Sequence, residues 1–488
     1  MRNDTVSAPQ PATRSRSALH ILALTLFIDM LGFGLILPLL PVYISHYGGT
    51  ARIGGLLLAS FSTMQFVFAP IWGRISDARG RRPIILLGLS GSAVSYFMFG
   101  AAPNLAVLFV ARVASGILTA ASLPTSQAYI ADVTPPEKRA AGMGMLGAAF
   151  GLGFAFGPVV SGVLSKHALF GITPLAMPAY FAALLAACNW LWALFMLPES
   201  HLDRQPTAHS DRGLAAFHAV GRALRSPSLG PLILVYAFQT FAFTAVESCY
   251  SWLVILRFRP LLAHRAVEAW AGVARLPLER VPQDIVKILP PGSSWQALAR
   301  LPFQALPHPL QQRMIETAST QATTTIFAIV GLTVLFVQIA VMRGMARHLG
   351  EKQLVVFGVT LLAGTLVCTA LAQQLWEIYL TSGLVAIGSG VMNPSLTALI
   401  THAAGPQERG MVSGAQQGLG SLARIVAPPI NNSLIMSNTA IPFLSSAVLM
   451  AVAAVLSLRM PTMQALDQRR ERSVSAGPNV VGQQLREG

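Results

Sequence analysis

Charged residues are scarce in this sequence of 488 residues, because Asp, Glu, Lys and Arg together make up 11% of the chain. An ordinary soluble domain has about 25%. Hydrophobic residues make up 53%, and they recur in runs of roughly 20, long enough for a helix to cross a bilayer core about 30 Å thick. The scarcity of charge excludes a soluble globular protein, and the runs predict an all-α membrane protein.

Cysteines are also few, and those present, Cys188, Cys249 and Cys368, lie apart with no Cys-x-x-Cys spacing. We therefore expect neither a disulfide framework nor a metal site. A G-x-G-x-x-G run at 142–147 follows no strand and lies inside an apolar run, which excludes a dinucleotide site. No G-x-x-x-x-G-K-[ST] loop for ATP phosphates occurs. The sequence thus predicts no cofactor, no catalytic residues, no enzyme activity and a source of energy other than ATP.

The net charge of +15 comes from 34 Lys and Arg residues against 19 Asp and Glu residues. A basic chain can bind nucleic acid, but here the basic residues occur in short clusters between the apolar runs and not along one stripe. We therefore attribute the charge to membrane topology and expect no nucleic-acid partner.

Apolar runs broken by glycine, proline or charge define about twelve predicted spans. They cover residues 18–44, 53–73, 83–102, 105–128, 140–165, 174–197, 230–256, 324–342, 353–372, 376–399, 410–435 and 440–458. With the amino terminus taken as cytoplasmic, the short loops on that side hold ten Lys and Arg residues, and the short loops on the other side hold two, Arg52 and Lys166. The positive-inside rule therefore predicts that both termini are cytoplasmic.

An internal repeat relates the two halves of the chain. A shift of 270 residues aligns four spans, placing Pro124 on Pro394 and Arg139 on Arg409, whereas at the first span of each half the shift is 210. The difference of about 60 residues predicts an insertion at 257–322, on the non-cytoplasmic side. Its many prolines limit it to short helices, VPQDIVKIL at 281–289 has the pattern of a surface helix, and we expect a cap outside the transport path.

Two parallel six-span halves with a substrate path between them are the architecture expected of a secondary transporter that works by alternating access. The fold prediction is therefore twelve transmembrane helices in two pseudo-symmetric six-helix halves. The predicted segments are a cytoplasmic tail (1–17), the amino-terminal half (18–200), a cytoplasmic linker (201–228), the carboxyl-terminal half with its long non-cytoplasmic loop (229–460) and a cytoplasmic tail (461–488).

The loop between the second and third spans reads GRISDARGRRP, residues 73–83. By charge alone it could be a topology anchor. Its spacing matches the G-x-L-x-D-x-x-G-R-[KR] signature of the major facilitator superfamily, with Ile75 for the usual Leu and Ala78 where a basic residue is common. The matching residues, which the resemblance implies form a gate motif, are Gly73, Asp77, Gly80, Arg81 and Arg82.

From about residue 18 to 460, apart from the insertion, the chain resembles that superfamily, and within it the twelve-span proton-coupled drug antiporters that include tetracycline efflux proteins. In the fourth span, Arg112 and Gly116 match the R-x-x-x-G element of the family. An arginine inside a span is costly and is a functional hypothesis by default. The alternative is that its side chain extends to the membrane interface.

The fifth span matches the antiporter pattern G-x8-G-x3-G-P-x-x-G, with Ser161 where a second Gly is usual. The matching residues are Gly144, Gly153, Gly157, Pro158 and Gly162. Small residues at this spacing allow close helix contact, and the proline frees a backbone carbonyl. Generic helix packing explains a single GxxxG, but it explains the whole spacing less well.

Few other polar groups lie within spans. Asp29 occurs in FIDMLGFGLILPLLP, which resembles the first-span element of the drug antiporters, and Glu247 lies in the middle of the seventh span. The resemblance implies that Asp29 and Arg112 act together in proton exchange, with Glu247 as a second carrier or a contact for a cationic substrate. The alternatives are a structural hydrogen bond for Asp29 and an ion pair with Arg424 for Glu247.

A substrate cavity is the least specific prediction, because phenylalanines in apolar spans mostly pack. Its candidate lining residues are Gln239, Phe243, Asn393 and Arg424. Taken together, the sequence predicts a monomeric secondary transporter in the inner (plasma) membrane that exports small, largely apolar organic compounds in exchange for protons. The alternatives are a proton-coupled exporter or symporter of a polar metabolite, such as a sugar or siderophore, and a non-transporting receptor on the same scaffold.

Overall fold

The structure is a computed structural model. It describes residues 12–134, 139–165, 173, 175–200, 221, 224–226, 229–278, 281, 283–286, 289, 294–342, 344–345, 349–404, 409–460 and 462. Most of both predicted tails and of the predicted linker lies outside these residues, as does Lys166.

The described residues form helices and no strands. The helices of the first half are α1 (Ala12–Ile36), α2 (Leu40–His46), α3 (Ala51–Arg79), α4 (Arg81–Gly100), α5 (Leu105–Thr119), α6 (Ser122–Val133), α7 (Arg139–Leu164) and α8 (Met177–Met196). Those that follow are α9 (Gly230–Arg257), α10 (Arg259–Val273), α11 (Gln283–Val286), α12 (Trp295–Ala299), α13 (His308–Phe336), α14 (Glu351–Leu371), α15 (Leu375–Ala403), α16 (Arg409–Ser437) and α17 (Ile441–Leu458).

Each of the twelve predicted spans corresponds to a helix or a pair of consecutive helices. Within the part of the chain that the structure describes, ten segments are long and apolar enough to cross a membrane. The fifth predicted span is α7, of which Gly151–Leu164 is an apolar helix of shorter length, and the eleventh is α16. The fold is therefore that of a polytopic all-helical membrane protein, and its helix order is consistent with twelve spans.

The chain divides into two compact units. Unit 1 comprises Met1–Ala208 and Phe258–Gly331, and unit 2 comprises His209–Arg257 and Leu332–Gly488. The boundary in the second half falls inside α13, so the insertion belongs to unit 1 by its contacts. In unit 1, α1 packs on α7 and α8, and α4 packs on α5 and α8. In unit 2, α9 packs on α16 and α17, and α14 packs on α15 and α17.

The described part of the insertion contains a longer helix than its prolines predict. The prediction of short helices only is wrong for α10, which has 15 residues. Pro260 lies in the first turn of α10, where a missing N–H is tolerated, and Pro277 follows its end, so these prolines delimit the helix and do not interrupt it. Trp270 and Trp295 stack edge to face at 5.7 Å in a small apolar core of their own.

Two further predictions about this region need correction. The surface helix expected over 281–289 is a helix over Gln283–Val286 in the described residues. The eighth span was predicted to begin at residue 324, whereas α13 begins at His308 and continues beyond Phe336 as a π-helical turn, Val337–Val341. The insertion therefore ends within the first four turns of a membrane-spanning helix.

Candidate functional site

The gate motif lies where α3 ends and α4 begins. The Asp77 carboxylate pairs with the Arg81 guanidinium. Arg81 also donates from Nε to Asp132 Oδ2 at 3.1 Å and from Nη1 to Ser76 Oγ at 3.2 Å. Because its guanidinium is a planar fork, Arg81 can bind both carboxylates at once. The motif therefore joins the ends of α3, α4 and α6 in one charge network.

The turn between α3 and α4 requires glycine. Gly80 has φ +103° and ψ 160°, a region that side chains with a Cβ rarely adopt. A Cβ at this position would also lie 2.5 Å from Glu199 Oε2. By contrast, a Cβ at Gly73 would meet no atom of the described chain within 4 Å. The two motif glycines thus have different roles, and only Gly80 is fixed by its local geometry.

Glu199 completes this network and was not predicted from the sequence. Its Oε1 accepts the backbone N–H of Arg81 at 2.8 Å, and its Oε2 accepts that of Arg82 at 3.2 Å. A carboxylate at this place satisfies free N–H groups at the start of α4 and complements the helix dipole. Arg82 in turn donates to the Leu194 carbonyl at 2.5 Å, so the end of α8 is tied to the start of α4.

Asp132 was also missed. The signal available in the sequence was modest: Asp132 and Glu199 are acidic residues at the predicted cytoplasmic ends of the fourth and sixth spans, the side that carries the basic loop. Nothing in the linear spacing pairs Glu199 with Arg81, which lies 118 residues away.

Asp29 and Arg112 are both buried in unit 1, with 5% exposure each. Ser92 Oγ on α4 lies 2.6 Å from Asp29 Oδ1, and the Tyr96 hydroxyl donates to the Asp29 backbone carbonyl at 3.3 Å. The Arg112 guanidinium stacks over the Phe61 ring at 4.6 Å. No ion pair joins Asp29 to Arg112 among the described residues.

The fifth-span glycines hold the helix that carries Asp29. A Cβ at Gly153 would meet the Phe27 carbonyl and lie 2.8 Å from Met30 Cβ, and a Cβ at Gly157 would lie 2.6 Å from Gly34 Cα. These glycines therefore let α7 approach the backbone of α1 on either side of Asp29 along the helix.

The remaining residues of the antiporter pattern lie on the same helix. A Cβ at Gly162 would lie 3.1 Å from Thr324 Oγ1 of α13, and Pro158 lies inside α7. Gly144 lies nearer the start of α7. Of the five residues, Gly153, Gly157 and Gly162 thus have helix contacts defined by the structure.

In unit 2, Glu247, Gln239 and Phe243 lie on α9, Asn393 lies on α15, and Arg424 lies on α16. Gln239 is buried and Arg424 is exposed, whereas the others are half-buried. Glu247 and Arg424 do not form the ion pair that the sequence left open as an alternative. The two groups interact electrostatically, but none of the ion pairs among the described residues joins them.

The helix register explains this separation. Gly420 lies against Tyr236, and Cys249 Sγ donates to Asn432 Oδ1 at 3.3 Å, so α9 and α16 run in the same direction. The Tyr236 and Gly420 pair places Arg424 at the level of residue 240 on α9. Glu247 is then about seven residues, or roughly 10 Å, further along the helix.

With this geometry in place, comparison with known proteins identifies the family. The family described as "Major Facilitator Superfamily" matches residues 22–270 and 301–484. The chain belongs to the major facilitator superfamily. The gap in the match, 271–300, falls within the insertion.

The chain is 28% identical over 407 residues to the class E tetracycline resistance protein of Escherichia coli. This alignment covers 83% of this chain and 84% of that relative. It is 25% identical over 444 residues to multidrug resistance protein 2 of Bacillus subtilis (strain 168), covering 90% of this chain and 94% of the relative. The solved structure of the human organic anion transporter MFSD10 (TETRAN) superposes with a TM-score of 0.60 at 25% identity, covering 92% of this chain and all of that one. The chain is a membrane transporter of the kind to which drug-resistance proteins belong.

Proposed function

We propose that this transporter exports small, largely apolar organic compounds, tetracycline-type molecules among them, in exchange for protons by alternating access. Support for the export of drugs comes from the resemblance to tetracycline and multidrug resistance proteins along most of the chain. Support for a secondary mechanism comes from the sequence, which has no nucleotide-binding loop and carries the antiporter pattern in its fifth span.

The observation that carries the proton coupling is the buried carboxyl group of Asp29. Within a membrane span, an ionisable side chain is costly and marks an ion or proton path. Asp29 has a hydroxyl partner, Ser92, and no countercharge in direct contact among the described residues. A carboxyl group in such a place can gain and lose a proton as its surroundings change, which is what proton exchange requires. Arg112 is a second buried ionisable group in the same unit.

Glu247 is the candidate for a second proton carrier or for a contact to a cationic substrate. It is half-buried and lies about two turns from the level of Arg424. Gln239, Phe243 and Asn393 offer amide and aromatic contacts in the same unit. We propose these residues as the unit 2 part of the substrate path.

The network around Asp77 and Arg81 is our proposal for the cytoplasmic gate. It joins three helix ends through two carboxylates and one guanidinium, and charge-assisted contacts of this kind hold helices in one of two discrete arrangements. We further propose that the protein lies in the inner (plasma) membrane with both termini cytoplasmic, functions as a monomer, and uses 18–200 and 229–460 as its two halves.

The test is transport by the purified full chain in proteoliposomes with an imposed pH gradient, against lipophilic cations, tetracyclines and fluoroquinolones. We expect uptake that depends on the gradient and is abolished by a protonophore. If the uptake of every transported compound is independent of the pH gradient, the proton-coupled mechanism is wrong.

A second candidate is export of organic anions, because one relative of known structure is an organic anion transporter. The exposed guanidinium of Arg424 in unit 2 favours this candidate, since arginine binds carboxylate and phosphate groups through paired hydrogen bonds. Adding organic anions to the same panel separates the two: anion transport that Arg424→Gln abolishes supports the second candidate.

A further inference from the structure

The hydroxyl group of Ser92 has two acceptors within reach. Ser92 is fully buried on α4, with its Oγ 2.6 Å from Asp29 Oδ1 and 3.3 Å from the backbone carbonyl of Gly88. A serine hydroxyl carries one proton and can accept through its lone pairs. It can therefore donate to only one of these two oxygens at a time, and the choice depends on whether Asp29 carries a proton.

The two protonation states of Asp29 call for opposite hydrogen-bond directions. An ionised carboxylate only accepts, so Ser92 donates to Asp29. A protonated carboxyl group can donate to Ser92 Oγ, and the Ser92 hydroxyl then turns to the Gly88 carbonyl, the common back-bond of serine in helices. In both states every polar hydrogen has an acceptor, and the change requires only rotation about the Cβ–Oγ bond.

We propose that Ser92 is a positioning residue for proton exchange, a hydroxyl relay that stabilises Asp29 in both of its protonation states by turning between Asp29 and Gly88. This inference rests on the proposed function, in which Asp29 carries the exchanged proton. Proton balance is simple: the proton taken up by Asp29 from water leaves to water on the other side, and Ser92 keeps its own proton throughout.

The surroundings of Asp29 leave this role to Ser92. Among the described residues, Ser92 alone makes a side-chain hydrogen bond to the Asp29 carboxyl group. The titratable groups nearby are Tyr96, whose hydroxyl is bound to the Asp29 backbone carbonyl, and Arg112, whose guanidinium stacks on Phe61.

Among the described side chains, no ionisable group on α6, α7 or α8 makes a hydrogen bond to the Asp29 carboxyl group. From α8, Asn189 interacts with Thr25, one turn before Asp29. From α7, Gly153 faces the backbone of Phe27. Since neither helix supplies a charge or a second donor here, the hydroxyl of Ser92 is the group that distinguishes the ionised from the protonated carboxyl.

The experiment measures proton release when a transported drug binds to the purified full-length protein in detergent, as a function of pH, with a pH-indicator dye. Ser92→Ala removes a hydrogen bond in both protonation states, but the bond to the ionised carboxylate is charge-assisted and is the stronger of the two, so the variant holds its proton to higher pH. We expect the midpoint of drug-linked proton release to move toward alkaline pH by about one unit. Ser92→Thr keeps the hydroxyl and should leave the midpoint within a few tenths of a unit of the wild type.

Two serines on the same helix serve as matched controls. Ser95 is buried and its hydroxyl has no hydrogen-bond partner among the described residues, and Ser90 donates to the Leu87 carbonyl at 2.9 Å. Ser95→Ala and Ser90→Ala should release protons with the wild-type profile. A shift in either control as large as that of Ser92→Ala would overturn the specific role of Ser92, because the effect would then be a general consequence of disturbing α4.

A second measurement separates this inference from the proposed function. In difference infrared spectra, the carbonyl band of protonated Asp29, identified by its loss in Asp29→Asn, should shift in Ser92→Ala because its hydrogen-bond partner is gone. An unchanged band and an unchanged midpoint would overturn the relay while leaving proton exchange at Asp29 intact. If Asp29→Asn still releases protons with the wild-type profile, Asp29 is not the carrier, and the relay fails together with that part of the proposed function.

Discussion

At the residue scale, the two buried charges of unit 1 are stabilised by different partners. Asp29 has a hydroxyl, whereas Arg112 has an aromatic ring, which can stabilise a guanidinium away from water. Because no direct ion pair joins them among the described residues, coupling between Asp29 and Arg112 requires a movement of their helices.

Replacing Asp29 by asparagine tests the carrier directly. An amide has nearly the same shape but cannot carry an exchangeable acidic proton, so Asp29→Asn should reduce gradient-driven export to background while drug binding stays within about threefold of the wild type. The measurements are proteoliposome transport and equilibrium drug binding. Glu268→Gln, on the exposed face of α10, is the control and should transport normally. Pumping by Asp29→Asn with undiminished gradient dependence would show that its hydrogen bond is structural only.

The gate network gives the second residue-scale prediction. Asp77→Asn removes the ion pair with Arg81 and leaves Asp132 as the one carboxylate bound to that guanidinium among the described residues. We expect export to fall by at least tenfold, with normal membrane insertion, because the pair is a charge-assisted contact between two helix ends. Drug resistance of cells that express the variant, together with its level in the membrane, provides the measurement. Arg79→Gln, an exposed cation at the end of α3, is the control; full resistance in the Asp77 variant would remove the gate assignment.

Some of these residues could be identified from the sequence, whereas their partners could not. Asp77, Arg81, Asp29 and Arg112 were found because a charge in or beside an apolar run stands out and because their spacing is local. Their partners could not be found the same way. Ser92 is an ordinary small polar residue in a span, and its pairing with Asp29, 63 residues away, depends on how α1 and α4 pack.

At the element scale, the connection between α3 and α4 combines a strained turn with a capped helix. The carboxylate of Glu199 occupies the space next to Gly80 that a side chain would need. The internal repeat supplies a natural comparison, because a shift of 270 residues places Gly80 on Gly350. Gly350 precedes α14 with φ −65°, and a Cβ there would meet no described atom within 4 Å.

This comparison predicts opposite tolerance at two repeat-related glycines. Gly80→Ala should destabilise the protein by about 1–3 kcal/mol, since alanine must adopt a backbone conformation reserved for glycine. Gly350→Ala should be neutral within about 0.5 kcal/mol. Thermal unfolding of the two purified variants in the same detergent measures the difference. Equal melting temperatures would mean that the α3–α4 turn adjusts without strain.

The start of α13 shows why one element was misjudged from the sequence. Residues 317–323 are rich in polar side chains, and hydropathy therefore placed the start of the eighth span after them, at residue 324. In the structure, the hydroxyls of Thr317, Ser319, Thr320 and Thr324 donate to backbone carbonyls four residues earlier in the same helix. Their polar groups are satisfied within α13 itself, so the helix extends through the polar stretch.

At the scale of the whole molecule, the apolar runs predicted the number and order of the spans, and the internal repeat located the insertion but did not predict its shape. A repeat compares equivalent segments, and the insertion has no equivalent in the first half. Its organisation depends on long-range contacts such as the one between His46 of α2 and Glu316 of α13 at 3.2 Å. No local sequence pattern predicts a contact of this kind. Those contacts make the insertion part of unit 1.

The structure also divides the insertion into two parts with different expected importance. Residues 259–306 contain α10, α11 and α12 around the Trp270 and Trp295 pair, whereas the start of α13 packs on unit 1 through Glu316 and Thr324. Only the first part corresponds to the cap that the sequence predicts. The second part is the beginning of a span.

The last prediction follows from this division. Excision of 259–306, with a Gly/Ser bridge of about ten residues, keeps α13 and its contact with His46, and loops tolerate changes of length better than spans do. We expect correct membrane insertion and transport within about tenfold of the wild type, measured in proteoliposomes. A longer excision, to Thr320, removes more than three turns of α13 and the Glu316 contact, and it should lose more activity than the shorter one. In the shorter variant Leu310 and Met314 remain without their apolar partners, so a polar replacement of these two side chains in that variant controls for aggregation. Complete loss of transport in a correctly inserted shorter variant would show that the cap takes part in the transport cycle.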